Sequence, residues 1–77
     1  MSKLKYIRNL KKLSQSELAT ASGVKVRTIQ QYEQGQKNID GAKIKTLAQL
    51  AQALDCSIID IIEDAETIKI LKKSEKI

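Results

Sequence analysis

The feature that most constrains this sequence is a helix start followed closely by a helix-ending glycine. Ser14 and Glu17 match the pattern in which a serine and a glutamate three residues later each satisfy a free backbone amide of a new helix. Gly23 ends that helix, because glycine adopts the left-handed conformation without a steric penalty. A second apolar pattern at helical spacing ends at the next glycine. The sequence therefore predicts two short helices, at 15–22 and 26–34, joined by a tight turn.

Apolar residues at helical spacing predict three more helices. They cover residues 2–12, 42–54 and 57–63. Asp40 is placed to cap the fourth helix, and Ser57 the fifth. Strand signals are weak before residue 64. We therefore expect an all-α fold, a compact bundle of five helices, in one domain over residues 1–63.

The tail over residues 64–77 has a pattern that fits two conformations. A helix would use Ala65, Ile68 and Leu71, whereas a short strand would use Ile68 and Ile70. Either form could build a dimer interface, because an exposed apolar segment on a small domain indicates association. A frayed, charged terminus is the third interpretation. The pattern leaves all three open.

The charge is divided unevenly along the chain. Residues 1–38 carry eight Lys and Arg against two acids, and residues 39–77 carry six Lys against seven acids. The densest acidic cluster consists of Asp60, Glu63, Asp64 and Glu66. A basic half attracts polyanions and an acidic half faces away from them, although a basic surface also serves solubility. The N-terminal half is thus the candidate for nucleic-acid binding.

Catalysis is not expected, because the chain has no His and a single Cys and so lacks the partners from which nucleophilic catalysis is assembled. Cys56 lies between apolar neighbours and is expected to be a small buried residue. Metal sites with Cys or His ligands need several of them at defined spacing, so no metal or cofactor is expected. No apolar run is long enough for a membrane span and the N-terminus is charged, which indicates a cytoplasmic location.

Two short helices joined by a tight glycine turn form a helix-turn-helix arrangement. The motif needs core residues that fix the angle between its helices. Those residues are Leu18, Val24, Ile29 and Tyr32. Ala19 is small enough to let the helices approach closely, and Gly23 makes the turn. Taken together these positions indicate DNA binding far better than any one of them does.

The segments LSQSELATASGV, RTIQQYEQG and IKTLAQLAQALDCSIIDII resemble the Cro and lambda-repressor type of helix-turn-helix, also called the XRE family. The resemblance covers residues 4–63, most of the chain. It implies a five-helix fold whose third helix, over 26–34, lies in the major groove of double-stranded DNA.

The resemblance implies that base edges are read from Lys25, Val26, Arg27 and Gln31. Arginine can bond a guanine through two hydrogen bonds and glutamine can do the same to adenine, so Arg27 and Gln31 are the best candidates. Val26 stands where the family often has a polar residue, and it can only pack against a thymine methyl. Gln30 is a neighbour that could also face solvent.

The resemblance also implies phosphate contacts by Gln15, Thr28, Gln34, Lys37 and Asn38. Such contacts set register and strength without reading sequence. For Gln15 the alternative is a solvated polar residue, and for Lys37 a solvated loop charge. Arg8 and Glu33 match a pair that forms an ion pair between the first and third helices. The role of this ion pair is structural, because the loss of one partner leaves the other as an unpaired buried charge.

These expectations describe a transcription regulator, a repressor that binds a two-fold-related operator as a homodimer. Operator occlusion is the expected mechanism, because 77 residues leave no room for a separate ligand-sensing domain. The alternative is an antitoxin or a regulatory subunit, whose main partner is another protein held by the fifth helix and the tail. Salt-dependent retention of duplex DNA by the purified chain would separate the two.

Overall fold

The helices follow one another through short connections whose residues set each boundary. The computed structural model describes residues 2–74. Within this range α1 to α5 cover Lys3–Leu10, Gln15–Ser22, Val26–Glu33, Ile44–Ala53 and Ala65–Ser74. One-turn 3-10 helices lie at Ile39–Gly41, before α4, and at Ile58–Asp60, before α5. These residues contain no strand, which confirms the all-α prediction. None of their helices is long and apolar enough to cross a membrane.

The first helix, α1, is shorter at both ends than the 2–12 expected from periodicity. Ser2 caps its start, where the hydroxyl accepts a hydrogen bond from the backbone amide of Lys5 at 3.1 Å. Lys12 ends it by adopting a left-handed conformation with φ of 59°. The backbone amide of Lys12 then donates to the carbonyl of Asn9 at 3.0 Å, which tightens the turn toward α2.

The two central helices match their predicted positions. The hydroxyl of Ser14 accepts from the amide of Glu17, and the carboxylate of Glu17 accepts from the amide of Ser14, so the capping box at the start of α2 is confirmed. Gly23 ends α2 with φ of 76°, in the left-handed region. The third helix ends at Glu33, with Gln34 as its C-cap, one residue short of the predicted end.

The start of α4 differs from the prediction. The helix begins at Ile44 rather than at 42, and Asp40 does not cap it. Asp40 instead lies inside the first 3-10 turn, and its Oδ1 accepts from the backbone amide of Glu63 at 2.7 Å. That turn is capped by Asn38, whose Oδ1 accepts from the amide of Asp40. Asp40 therefore ties this connection to the segment before α5.

The predicted helix over 57–63 is wrong, because only the 3-10 turn Ile58–Asp60 forms there. Lys3 explains why the turn does not continue as a helix. Its Nζ donates to the carbonyl of Ile59 at 3.2 Å and to that of Ile62 at 2.7 Å. These two carbonyls therefore accept hydrogen bonds from a side chain of α1, and not from the backbone amides that would follow in a continued helix.

The tail contains the fifth helix, α5, so of its possible conformations the structure has the helix and not the strand. Asp64 precedes it and accepts from both the amide and the hydroxyl of Thr67, at 3.1 and 2.6 Å. These bonds lower the pKa of the Asp64 carboxyl below its ordinary value. The number of helices is thus as predicted, while the last one lies later in the chain.

The core lies where α2, α3 and α4 meet, with α1 and the 58–62 segment closing it. Its fully buried large side chains are Leu4, Leu18, Ile29, Leu50, Leu54, Ile61 and Ile62. Val24 and Tyr32 are buried as well, so all four residues predicted to fix the interhelical angle lie in the core. Ala19 is half-buried against the same cluster. The angle between α2 and α3 is therefore set by apolar packing.

Cys56 is half-buried and packs against the core after α4. Burial raises the pKa of its thiol, and nearby Asp60 raises it further. A protonated thiol is a poor nucleophile and behaves as a small apolar residue. Cys56 thus contributes packing, although it is less buried than its apolar neighbours indicate.

Candidate nucleic-acid interface

The third helix turns one face into the core and the other away from it. Ile29 and Tyr32 are buried, whereas Arg27, Gln31 and Gln34 follow one another at spacings that place them together on the opposite side. One surface depression is lined by Arg27, Gln30, Gln31, Gln34 and Gln36. We call Arg27, Gln31 and Gln34 the outer face of α3. It offers a guanidinium and two amides, which are the donors and acceptors that base edges can pair with.

The other two residues predicted to read bases lie apart from this face. Lys25 is the N-cap residue of α3 and is exposed. Val26 is 37% exposed and lines a shallow depression with Ser16 and Thr20 of α2. The structure therefore groups Arg27 with Gln31, and it places Val26 beside α2 at the N-terminal end of α3.

A second concave surface lies between the start of α3 and the start of α4, with a volume of about 580 Å³. Its polar lining includes Lys25, Thr28, Lys37, Asn38, Lys43, Thr46 and Gln49. We call this surface the lysine cleft. Three of the residues predicted to touch phosphate meet here, and no acidic residue lines the cleft. Such a surface attracts anions.

Three polar residues of the lysine cleft were not predicted from the sequence, Lys43, Thr46 and Gln49. Lys43 is the N-cap of α4, and its side chain makes no capping hydrogen bond to the helix. The first amides of α4 are thus uncapped by that side chain, and uncapped amides at a helix start favour anions. The available signal was the lack of Ser, Thr, Asp or Asn directly before Ile44.

The remaining two residues predicted to contact phosphate lie outside the lysine cleft. Gln34 belongs to the outer face of α3. Gln15, the first residue of α2, is half-buried and bonded at both ends of its amide. Its Nε2 donates to Oε1 of Glu33 at 3.1 Å, and its Oε1 accepts from Nε2 of Gln30 at 3.4 Å. Gln15 is therefore a bridge between α2 and α3, and not a solvated polar residue.

Arg8 and Glu33 join α1 to α3 through a two-pronged ion pair. Nε of Arg8 donates to Oε2 of Glu33 at 2.7 Å, and Nη2 donates to Oε1 at 2.9 Å. The third bond of the guanidinium runs from Nη1 to the carbonyl of Leu13 at 2.7 Å. The Arg8 and Glu33 side chains are only 9% and 2% exposed. Hydrogen bonding to Glu33 raises the pKa of Arg8, against an opposing effect of burial.

The Arg8–Glu33 pair also decides which charges the third helix shows to the outside. Glu33 is the only carboxylate between Val26 and Gln34, and it points inward to Arg8 and Gln15. The outer face and the lysine cleft consequently carry cations and amides without an acid among their lining residues. A surface of this composition and shape fits a polyanion that also presents hydrogen-bonding edges.

A comparison with protein-family models identifies one for this chain, described as helix-turn-helix, which matches residues 4–61. The match spans more than half of the chain and includes all of α1 except Lys3, α2 to α4 and both 3-10 turns. No curated protein and no solved structure matches the chain.

Proposed function

The chain belongs to the XRE family of helix-turn-helix DNA-binding transcription regulators, the Cro and lambda-repressor type, and on this premise we propose that it is a repressor that covers its operator. The observation that carries the proposal is the outer face of α3. Arg27 and Gln31 stand one helical turn apart on a surface without acidic residues, and the opposite side of α3 is packed in the core. The major groove, about 12 Å wide, admits an α-helix in this orientation.

The proposed roles follow from where each side chain lies. Arg27 and Gln31 read base edges through paired hydrogen bonds, while Val26 packs against a thymine methyl beside α2. Lys25, at the N-terminal end of α3, lines the lysine cleft and reaches either a base or a phosphate. These contacts supply sequence preference, because base edges differ from one pair to the next and phosphates do not.

The lysine cleft holds the DNA backbone in this proposal. Thr28, Lys37 and Asn38 contact phosphate, and Lys43 with the first amides of α4 extends the same contact. Asn38 donates through its Nδ2, because its Oδ1 is engaged by the amide of Asp40. Gln34 contacts phosphate from the end of α3. One hydrogen of the Gln15 Nε2 group is bonded to Glu33, so Gln15 can donate only its second amide hydrogen to a phosphate.

Repression follows from the size of the contact. A homodimer that places one α3 in each of two half-sites about 34 Å apart covers a stretch of DNA that other proteins then cannot occupy. Such a protein acts on the chromosome, and we propose that it does so in the cytoplasm. The proposal needs no cofactor and no catalytic step.

The test is a binding measurement on the purified chain. Preferred sites are selected from random duplexes, and affinity is followed by fluorescence anisotropy at several salt concentrations. If about five phosphates are neutralised, log affinity falls with log salt at a slope of roughly −4 to −5. Affinity that does not change with salt would remove the proposal.

Lys43 and Lys5 form a matched pair for this test. Lys43→Ala should reduce the magnitude of the salt slope by about 1, because one phosphate contact is lost. Lys5→Ala should leave it unchanged, because Lys5 is an exposed lysine of α1 outside both surfaces. Equal effects of the two variants on the salt slope would show that the overall charge of the protein drives DNA binding, and that the lysine cleft makes no specific phosphate contact.

A further inference from the structure

The lysine cleft carries more positive charge than one DNA phosphate can neutralise. Three lysines from separate segments line it: Lys25 at the start of α3, Lys37 after that helix and Lys43 at the start of α4. None of the lining residues that the structure describes is acidic. The three ammonium groups repel one another, so the cleft favours a ligand that brings several negative charges at once.

Both helices that begin at the cleft add to this charge. Lys25 and Lys43 are the N-cap residues of α3 and α4, and neither side chain makes a capping hydrogen bond. By contrast, Ser2 and Ser14 cap α1 and α2 with their hydroxyl groups. A helix start is equivalent to roughly half a positive charge, so with its three lysines the cleft presents about four positive charges.

The polar groups between the lysines supply hydrogen-bond donors. Oδ1 of Asn38 accepts from the backbone amide of Asp40, so the Nδ2 group of Asn38 remains for a ligand. Thr28 and Thr46 add hydroxyl groups, each in the first turn of its helix. The cleft thus offers donors as well as positive charge, which is the combination that phosphate oxygens bind.

Duplex DNA cannot match that charge within the cleft. Each phosphate of its backbone carries one negative charge, and the duplex, with a persistence length of about 50 nm, is too stiff to fold further phosphates into one depression. A triphosphate chain carries about four negative charges, close to two on its terminal phosphate and one on each of the others. The cleft volume of about 580 Å³ lies within the range of about 300–1,000 Å³ for small-molecule sites. Charge and size therefore fit a short polyphosphate.

We propose that the lysine cleft binds a free polyphosphate anion, the triphosphate of a nucleotide or inorganic tripolyphosphate, and that this anion competes with the DNA backbone. The site follows from the geometry of the protein alone, whereas the competition rests on the proposed function. A bound anion occupies the cations that would otherwise contact phosphate, so operator binding weakens. The outer face of α3 stays open, because Arg27 and Gln31 line a different depression.

Calorimetric titration of the DNA-free chain with inorganic tripolyphosphate, in magnesium-free buffer at neutral pH, tests the site. We expect saturable binding of one anion per chain and about tenfold weaker binding of pyrophosphate, because a shorter anion leaves a cation of the cleft without a partner. ATP in the same buffer distinguishes the two sources. Equal affinities identify the phosphate chain as the ligand, and tighter binding of ATP identifies a nucleoside triphosphate. No saturable binding of either anion at millimolar concentration would overturn the proposal.

Three variants that each lower the net charge by one locate the site. Lys43→Ala should weaken tripolyphosphate binding about tenfold, and Thr46→Glu at least as much, because it places a carboxylate in the cleft. A glutamate in the first turn of α4 is favourable to the helix, so this variant should keep its fold, which circular dichroism checks. Lys45→Ala is the matched control and should change the affinity less than about twofold, since Lys45 is exposed on α4 and does not line the cleft. Similar losses in all three would refute the site in favour of overall charge.

The competition is measured by fluorescence anisotropy of a labelled operator. Tripolyphosphate at ten times its own dissociation constant should raise the apparent dissociation constant of the operator about tenfold, as for two ligands of one site. Sodium sulfate at the same ionic strength gives the effect of salt alone and should raise that constant much less. If the two salts act equally, the competition is refuted. If the chain binds no operator at any salt concentration, the proposed function fails, while the titration without DNA still decides the site.

Discussion

Removing Arg8 should destabilise the fold more than any exposed charge could. The substitution Arg8→Met keeps an unbranched apolar chain that ends at about the position of the arginine Nε, and it removes all three hydrogen bonds of the guanidinium. Glu33, whose side chain is 2% exposed, would then keep only the bond from Gln15. A carboxylate left in this state lacks both a counter-charge and access to water.

The magnitude follows from that burial. Breaking a buried ion pair by removing one partner costs about 3–5 kcal/mol, whereas an exposed pair is worth about 1 kcal/mol or less. A chain of 77 residues has a total stability of roughly 4–12 kcal/mol. Arg8→Met should therefore lower the melting temperature by about 12 °C or more, since 1 kcal/mol shifts a domain of this size by roughly 4–8 °C.

Urea denaturation of a double-mutant cycle measures the contribution of the pair. Arg8→Met/Glu33→Leu removes both charges, and replacing a buried pair with apolar residues is often close to neutral, so the double variant should recover most of the loss. Gln15 loses its acceptor but is half-buried and can reach water. A loss below about 1 kcal/mol for Arg8→Met, or a double variant as unstable as the single one, would refute the reasoning.

Three further changes have definite expected outcomes. Gly23→Ala should cost about 1–2 kcal/mol in urea denaturation because its φ is 76°, although the added Cβ would lie at an ordinary 3.8 Å from Nε2 of Gln49. Gly41→Ala, with open space and no left-handed φ, is the control and should cost less than half as much. Hydrogen bonds from Ser14 lower the pKa of Glu17, so this carboxylate stabilises the fold above its unfolded-state pKa and loses that effect as pH falls through the folded-state value. Glu17→Gln should thus lower the melting temperature at neutral pH and match the original chain in strong acid; a constant difference would contradict this. Arg27→Ala should weaken operator binding by about 1–3 kcal/mol and relax preference at one base pair per half-site, with a smaller effect on scrambled duplex; equal losses on both would show that Arg27 holds phosphate.

The positions of α2 and α3 could be predicted because local chemistry decides them. Ser14, Glu17 and Gly23 act on amides and carbonyls within a few residues of themselves, so their effect is visible in the sequence. Arg27 and Gln31 were named as base readers through the resemblance to the XRE family, and helical spacing accounts for their lying on one face. Roles on DNA for these residues stay predictions until binding is measured.

The short length of the turn at Ile58–Asp60 could not be predicted in this way, because the side chains that bond to this segment lie far away in the sequence. Lys3 holds the carbonyls of Ile59 and Ile62 across more than fifty residues of sequence, and Asp40 holds the amide of Glu63. Lys43 was missed for a related reason. The 3-10 turn Ile39–Gly41 delays the start of α4 to Ile44, and that delay places Lys43 at the helix start beside the lysine cleft.

The buried Arg8–Glu33 pair should affect DNA binding mainly because it positions α3, and less because it turns the charge of Glu33 away from the DNA. Turning Glu33 inward removes a carboxylate from the surroundings of the DNA, but a charge about 10 Å away across the helix acts on a phosphate through water with only about 0.4 kcal/mol, before screening by salt. A displaced helix loses whole contacts, at about 1–3 kcal/mol for each base that is no longer read. The variant Arg8→Met/Glu33→Leu separates the two effects, because it removes both charges while the apolar core of α3, with Ile29 and Tyr32, stays in place. If position dominates, this variant binds the operator nearly as well as the original chain, and Arg8→Met alone does not.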